Sequence, residues 1–238
     1  MPATSSAYLV GVACTPFGKF PGMSFKDFTR DAYEAVIADA ALDGAAIASA
    51  WFSNCGMHMW GQSNIRGQVC FTPLVQSGRF PERVPLINVE GGCASGSLAL
   101  HGAWTSVLSG QSELALAIGV EKTFHPDPDK VAALFGEAID RMDPGEWEAY
   151  YAAAGNAAGT KFSTGPGRSP YMDTYAMQAS WHMRTYGTTQ EQLAIAAAKS
   201  HNMGALNPLA QYRFRTTPDE VLADKPVSYP LTRAMCSP

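Results

Sequence analysis

Apolar and polar positions alternate along the first half of the chain in two patterns. Short apolar runs predict four β-strands, at residues 7–13, 47–54, 84–90 and 113–122. Amphipathic or apolar stretches between and after these runs predict three helices, at residues 24–42, 63–78 and 94–110. Strands that alternate with helices indicate parallel crossover connections and a sheet that is covered on both sides.

The first of these helices has the clearest helical periodicity. Ser24 precedes it as the candidate N-cap. Apolar residues recur at spacings of three and four and are predicted to share one face, namely Phe25, Phe28, Ala32, Ala35, Val36 and Ala40. This spacing predicts an amphipathic helix.

The alternation stops between residues 124 and 168, where the sequence is rich in Pro, Gly and Asp and contains short helical pieces. We interpret this stretch as an insertion or loop region over the core. Two helices are predicted after it, at about 170–185 and at 188–206. The second begins with a capping box formed either by Thr188 with Glu191 or by Thr189 with Gln192.

The chain therefore divides into three predicted regions. Residues 1–123 form an α/β core, residues 124–185 form the loop region, and residues 186–238 return to the core. A length of 238 residues fits one large domain or a core with an insertion.

Composition narrows the class of protein. A hydrophobic content of 46% and a charged content of 16% fit a globular protein with a substantial core. The net charge is −4 without a basic run, which argues against nucleic-acid binding. No apolar stretch is long enough to span a membrane, and the N-terminus lacks the features of a signal peptide. We expect a cytoplasmic protein without a membrane partner.

The cysteines do not form a ligand or disulfide pattern. Their number is odd, their spacings are wide and no CxxC pair occurs. We therefore expect no metal site and no disulfide framework, and at most one or two thiols with a chemical role. The five are Cys14, Cys55, Cys70, Cys93 and Cys236.

One cysteine lies in a setting that favours chemistry. In the stretch NVEGGCASGSLAL, Gly91 and Gly92 allow a sharp turn from a strand into a helix. Cys93 then lies at or just before the first helical turn, where free N–H groups and the helix dipole stabilise an anion. This position is expected to lower the pKa of the thiol and to help hold an oxyanion. The local sequence therefore favours acyl transfer through a thioester at Cys93.

The helix that follows carries no formal charge over residues 94–110, and small residues occur on every face. A helix without a polar face is normally enclosed on all sides, so Cys93 would be sheltered from water. The residues alone leave a second interpretation open, in which Cys93 is a buried cysteine in a well-packed glycine turn.

These motifs together resemble the N-terminal half of the thiolase superfamily, in particular the branch of bacterial acetyl-CoA acetyltransferases and sterol-carrier-type thiolases. CTPFGKFPG resembles the opening element of the family, with Cys14 where an Arg is usual. NVEGGCASGSLALHGA resembles the nucleophile motif. Further similar segments are GQSNIRGQV (61–69), ALAIGVEK (115–122), the stretch 186–213, and PLTRAMCSP (230–238).

The resemblance implies a five-layer αβαβα sandwich of two similar halves, with the nucleophile helix in the middle layer. It also implies that Cys93 accepts an acyl group from an acyl-CoA, which a second, deprotonated acyl-CoA then attacks. The reverse reaction cleaves a 3-oxoacyl-CoA with free coenzyme A. The coenzyme A thioester is the substrate, and no metal or redox cofactor is implied.

The acid–base groups of the family are expected elsewhere. In the family, these groups belong to the C-terminal half. They are an Asn in an NEAF-like motif, a His in a GHP-like motif and a Cys in a CxG-like motif. None of these three motifs occurs in these 238 residues. We expect the isolated chain to have an incomplete active site, completed by a complementary half. Association as a homo-oligomer is also expected, since strand 86–90 and segment 54–70 resemble parts of the two-fold interface of the family.

Local histidines do not replace the missing groups. His101 is eight positions after Cys93, about 12 Å along the helix, and cannot reach the thiol. Among the other histidines, His58, not far upstream of Cys93, is the best candidate for a base, although a structural role is favoured for it.

Substrate contacts are predicted mainly by resemblance. Tyr171 and Met172 lie where many thiolases have a His-Met pair that lines the pantetheine pocket. Trp104 and Trp181 are expected in the core. Four basic residues of the loop region could meet the phosphates of coenzyme A, although a solvated surface is favoured, namely Lys130, Arg141, Lys161 and Arg168.

Three hypotheses follow. The first is acyl-CoA C-acyltransfer through an acyl-Cys93. The second is a thiolase-fold aldolase that acts on a bulky acyl-CoA with a small OB-type partner, in which Cys93 need not be acylated. The third is a non-catalytic subunit that binds acyl-CoA or serves as a scaffold.

Overall fold

The structure is a computed structural model that describes residues 6–137, 139–162 and 169–237. The chain divides into two compact units. The first comprises Met1–Thr15 and Lys19–Ala138, and the second comprises Pro16–Gly18 and Ile139–Pro238. The boundaries at 123/124 and 185/186 derived from the sequence stay predictions.

The first unit is built on a parallel three-stranded sheet. Its strands are β1 (Ser49–Ser53), β2 (Leu86–Val89) and β3 (Ala115–Gly119), in the order β2-β1-β3. Ser53 pairs with both Val89 and Gly119, so the carboxyl ends of all three strands are level with one another. The predicted parallel α/β architecture is confirmed.

Helices cover both faces of this sheet. One face packs against α1 (Phe25–Ala40) and α2 (Arg66–Gln76), while the other packs against α3 (Ser95–Leu108). A further helix, α4 (Pro128–Gly136), follows β3. Side chains alternate along β1, so Phe52 points to one face of the sheet and Trp51 points to the other.

The core on the α1–α2 side is aromatic. Phe52 and Phe71 are almost completely buried and their rings meet edge to face, with centroids 6.3 Å apart. Tyr33 joins them at 6.0 Å from Phe71, and its hydroxyl donates to the Arg79 carbonyl at 2.8 Å. Edge-to-face pairs stabilise a core by roughly 0.5–1.5 kcal/mol beyond the area that they bury.

The amphipathic face of α1 is confirmed in most positions. Phe25, Phe28 and Val36 pack against the core, and Ser24 forms a capping box with Asp27. The expectation for Ala35 is wrong, because this residue is exposed. Thr29 and Tyr33 form the centre of the buried stripe instead. Thr29 can be buried because its hydroxyl donates a hydrogen bond to the Phe25 carbonyl at 2.8 Å.

The expected strand at 7–13 is wrong. In the part of the chain that the structure describes, this segment forms no strand, and Tyr8 and Leu9 are 81% and 74% exposed. Its described anchor is a hydrogen bond from the Val12 N–H to the Asp39 carboxylate at 2.8 Å. An apolar run becomes a strand only where a neighbouring strand accepts its hydrogen bonds.

The second unit is mainly helical. It contains α5 (Pro144–Ala158), α6 (Pro170–Tyr186), α7 (Gln190–Gly204), α8 (Pro218–Ala223) and an antiparallel pair of β4 (Pro226–Ser228) with β5 (Leu231–Thr232). The capping box of α7 is Thr189 with Gln192, which decides between the two expected pairs. Ala194, Ala198 and Val221 form a small core between α7 and α8.

Two tryptophans expected in the core lie at the surface. Trp104 is 48% exposed and Trp181 is 44% exposed. Trp104 lies on the side of α3 opposite to the sheet, whereas Trp181 contacts Tyr186 edge to face one turn away on α6. Within the described residues, no helix combines the length and the apolar character needed to cross a membrane.

Candidate active site

A tight turn presents Cys93 between β2 and α3. A short 3₁₀ helix, Gly92–Ala94, joins the end of the strand to the start of α3 at Ser95. Gly92 has a φ of +56°, a left-handed conformation that favours glycine. A Cβ at Gly91 would come within 2.4 Å of a Leu98 methyl group. The conformation therefore favours glycine at position 92, whereas a side chain at position 91 would have to displace the exposed Leu98 side chain.

Hydrogen bonds from neighbouring residues hold this turn in place. The Ser95 hydroxyl accepts from the Gly91 N–H at 3.0 Å and donates to the Gly92 carbonyl at 2.7 Å. The Gly92 N–H donates to the Glu90 carboxylate at 2.5 Å. The N-cap of α3 is Ala94, which supplies no side-chain hydrogen bond, so the positive end of the helix has no capping side chain.

Cys93 is exposed on this turn and is a free thiol. Two expectations are therefore corrected: the thiol is not sheltered, and α3 is not enclosed on all sides by this chain. Ser95, Ala99, Gly102, Ala103 and Ser106 form a buried stripe against the sheet. Leu98, Leu100 and Trp104 are between 43% and 49% exposed. The expected shelter would need a surface outside the described residues.

The end of β1 lies beside this turn and is fixed by a buried amide. Asn54 is 1% exposed, donates to the Val120 carbonyl at 2.6 Å and accepts from the Met57 N–H at 2.9 Å. The Arg66 guanidinium also donates to the Asn54 carbonyl. Asn54 thus connects the loop after β1 to the end of β3.

Glu121, which follows β3, completes this connection. Its carboxylate accepts the Cys55 N–H at 2.5 Å and the Gly56 N–H at 3.1 Å. The same carboxylate interacts with the Cys55 thiol. Burial, followed by the negative charge of Glu121, raises the pKa of Cys55 to about 12, so this thiol stays protonated near neutral pH.

His58 has a structural environment. Its Nδ1 lies 2.8 Å from the Cys55 carbonyl, which can only accept a hydrogen bond. Its Nε2 lies 2.7 Å from the Glu137 carboxylate. With both ring nitrogens facing such partners, His58 serves to hold the loop after β1 rather than as a base.

The two predicted substrate contacts belong to the second unit. Tyr171 and Met172 are half-buried in the first turn of α6, whose N-cap Ser169 accepts the Met172 N–H. Their part in a site with Cys93 stays a prediction. Lys130, Arg141 and Lys161 are exposed, as a solvated surface requires, while Arg168 lies outside the described residues.

Several residues near Cys93 are missed by motif analysis, chiefly Asn54, Cys55 and Glu121. Asn54 and Cys55 are the first two residues after β1, and Glu121 is the second residue after β3. The carboxyl ends of parallel strands meet at one edge of a sheet, where α/β proteins place their sites. Lys122 is a further case, because its ammonium group is buried, donates to the Met23 carbonyl at 2.6 Å and lies over the Trp60 ring. Strand ends are therefore the signal that could have located these residues.

Comparison with known proteins identifies the class to which this fold and nucleophile turn belong. Residues 7–221 match the thiolase N-terminal domain. The match includes the sheet, Cys93 and most of the second unit, and the chain therefore belongs to the thiolase family.

Individual relatives agree with this assignment. The chain is 32% identical over 232 residues to an acetyl-CoA acetyltransferase of Methanothermobacter thermautotrophicus, covering 97% of this chain and 53% of the relative. It is 31% identical over 242 residues to human sterol carrier protein 2, covering 100% of this chain and 40% of that protein. The chain thus spans about half the length, or less, of these curated relatives.

A solved structure shares the fold. The Ltp2-ChsH2(DUF35) aldolase superposes with a TM-score of 0.63 at 21% identity, over 96% of this chain and 51% of that one. At this identity the likeness establishes the fold and leaves the reaction open.

Proposed function

We propose that this chain provides the nucleophile half of an acyl-CoA C-acyltransferase of the thiolase type. Cys93 attacks the thioester carbonyl of an acyl-CoA, forms an acyl-cysteine and releases coenzyme A. A second acyl-CoA, deprotonated at its α-carbon, then attacks the acyl group. The substrate is itself the coenzyme A thioester, and the proposed reaction needs no metal or redox cofactor.

The observation that carries the proposal is the exposed Cys93 thiol on a glycine turn at an uncapped helix N-terminus. Such an end attracts negative charge, which supports the oxyanion formed when a carbonyl is attacked. The acetyl-CoA acetyltransferase relatives support the same class of reaction.

The proposal assigns the remaining groups to protein outside these residues. General acid–base catalysis needs a group within hydrogen-bond reach of the thiol or the substrate. His58 is engaged by Cys55 and Glu137, and His101 is exposed eight residues along α3. We infer that a complementary thiolase half supplies the acid–base pair, and that Tyr171 and Met172 contact the pantetheine arm.

Association is part of the proposal. β2 lies at one edge of the sheet, with β1 as its partner on the other side. The apolar outer side of α3 is exposed. We infer that β2 contributes to a homo-oligomer, and that a second thiolase half covers α3, because exposed apolar area of this kind marks an interaction surface.

The experiment is mass spectrometry of the chain after incubation with acetyl-CoA, with and without a complementary C-terminal half. One acetyl group on the Cys93 peptide is expected, and none on the Cys93→Ala variant. Cys14→Ala is the matched control, because Cys14 is also an exposed thiol of the first unit. Unchanged acetylation or unchanged acyltransfer in Cys93→Ala would exclude the proposal.

A thiolase-fold aldolase with a small partner protein is the second candidate, favoured by the likeness to a solved aldolase with a DUF35 partner. In that case Cys93→Ala would still release a side chain from a bulky acyl-CoA when the partner is present. A non-catalytic subunit would bind acyl-CoA without turnover in every combination. The three outcomes are therefore distinct.

A further inference from the structure

Two side chains hold the turn that carries Cys93, one from each side in the sequence. Glu90 precedes the turn and Ser95 follows it, and both hydrogen-bond to the backbone of the two glycines between them. Consecutive glycines have more backbone freedom than any other pair of residues. A single conformation of this turn therefore depends on the bonds that hold it.

Ser95 holds the turn from the side of α3. Its hydroxyl accepts from the Gly91 N–H at 3.0 Å and donates to the Gly92 carbonyl at 2.7 Å. The one proton of the hydroxyl and one of its lone pairs are thus both used within the turn. Ser95 is 5% exposed and belongs to the stripe of α3 that packs against the sheet, so these bonds tie the turn to the buried side of the helix.

Glu90 holds the same turn from the side of β2. Its carboxylate accepts from the Gly92 N–H at 2.5 Å, and the residue is exposed. Gly92 is therefore held through both of its polar backbone groups, the N–H by Glu90 and the carbonyl by Ser95. Cys93 is the next residue, so the orientation of Gly92 determines the direction in which the Cys93 side chain leaves the backbone.

We propose that Ser95 and Glu90 are positioning residues that aim Cys93 at the thioester carbonyl. The inference rests on the proposed acylation of Cys93, and neither residue is given a role in the bond changes. In the step that they support, the Cys93 sulfur bonds to the thioester carbon and the bond from that carbon to the coenzyme A sulfur breaks. The leaving thiolate takes up one proton to balance the proton that the Cys93 thiol gives up.

Two reactions of the same sulfur distinguish aim from simple accessibility. Attack on a carbonyl requires a defined approach and donors placed where the oxyanion forms, so a small displacement is costly. Alkylation by iodoacetamide displaces iodide from a small reagent and forms no oxyanion. An exposed thiol on a misdirected turn should therefore still be alkylated while it loses acyl transfer.

The test measures initial rates of both reactions on the Cys93 peptide of the whole chain by mass spectrometry. One sample receives acetyl-CoA and a parallel sample receives iodoacetamide. The variants are Ser95→Ala and Ser95→Thr, which remove and keep the hydroxyl, and Glu90→Ala and Glu90→Gln, which remove and keep an acceptor oxygen. Ser97→Ala is the matched control, because Ser97 is an exposed serine in the first turn of the same helix.

Ser95→Ala is expected to lower acetylation of Cys93 by roughly tenfold to a hundredfold, with a much smaller change in alkylation. Ser95→Thr should restore acetylation towards the wild-type rate. Glu90→Ala should lower acetylation, and Glu90→Gln should lie closer to wild type. Ser97→Ala should match wild type in both reactions.

The inference is overturned if Ser95→Ala is acetylated at the wild-type rate, or if its two reactions fall equally, as a general loss of structure would cause. The exposed Glu90 provides an independent arm if Ser95→Ala does not fold. If the wild-type chain is not acetylated at all, the proposed function fails instead, and hydrogen exchange then decides the role of Ser95. The Gly91 amide should exchange faster in Ser95→Ala than in Ser97→Ala, and equal exchange would overturn the inference.

Discussion

The indole ring of Trp51 lies directly on Gly102. A Cβ at Gly102 would come within 2.2 Å of the ring atom Cε3, and the indole N–H donates to the Ser106 hydroxyl at 3.3 Å. The central strand β1 and helix α3 therefore meet through one aromatic side chain and one missing side chain. This contact sets how closely the helix that begins after Cys93 approaches the sheet.

Gly102→Ala is expected to destabilise the first unit. The added methyl group cannot fit without moving the Trp51 ring or the helix, and such overpacking typically costs about 1–3 kcal/mol. Urea unfolding followed by tryptophan fluorescence measures the change in the free energy of unfolding.

Gly96→Ala is the matched control for this prediction. Gly96 is also in α3, but a Cβ there would meet nothing within 4 Å. This substitution should leave the free energy of unfolding unchanged or raise it by up to about 1 kcal/mol, because alanine favours the helix. Equal destabilisation by both substitutions would show that the contact with Trp51 does not limit α3.

Asn54→Ala is expected to loosen the loop beside Cys93. The substitution leaves the Val120 carbonyl and the Met57 N–H without their described side-chain partner, in a place that is almost completely buried. An unsatisfied buried polar group typically costs about 1–3 kcal/mol. Hydrogen exchange should show faster exchange of the amides of residues 55–57 than in wild type.

The exposed Gln111 after α3 provides the control for Asn54. Gln111→Ala should change neither the stability nor the exchange of residues 55–57. If Asn54→Ala exchanges as slowly as wild type, the contacts of Glu121, Arg66 and His58 are enough to hold this loop without the Asn54 amide.

The capping box of α1 predicts a pH dependence of stability. Hydrogen bonds from the Ser24 N–H and hydroxyl lower the pKa of Asp27 below its ordinary value of 3.8, with a smaller effect of Arg30. Since the folded state binds the proton less tightly, the stabilisation is complete above pH 3.8 and is lost as the pH falls through the lowered pKa.

Thermal unfolding across this range tests the capping box. Asp27→Asn should melt below wild type at about pH 6, and the difference should shrink towards about pH 3. Glu82→Gln, at an exposed loop carboxylate, should follow the wild-type curve at every pH. A difference between Asp27→Asn and wild type that stays constant with pH would contradict the prediction.

The sequence predicts the parts of this molecule that depend on local pattern. The alternation of apolar runs with amphipathic stretches predicts the order of α1, β1, α2, β2, α3 and β3, and Gly92 predicts the turn at Cys93. These features follow from side-chain periodicity and from the backbone freedom of glycine, which are properties of neighbouring residues.

The features that the sequence does not predict depend on contacts between distant residues. Residues 7–13 have the composition of a strand, but among the described residues no neighbouring strand pairs with them. The clamp of Glu121 on Cys55 joins residues 66 positions apart and becomes visible only when the strand register is known. Trp104 is a residue type that is expected in a core, but its exposure depends on which side of α3 meets the sheet.

The outer side of α3 predicts self-association or binding of a second chain. Leu100 and Trp104 are four residues apart, and both are about half exposed on a helix without charge. Replacing them together by Leu100→Lys and Trp104→Gln should lower the binding of the dye ANS and shift the mass measured by light scattering towards that of a monomer. Met142→Gln is the control, since Met142 is 97% exposed but lies in the second unit, so both measurements should stay at the wild-type level. An unchanged mass and unchanged dye binding in the double variant would show that this side of α3 is not the surface through which the chain associates.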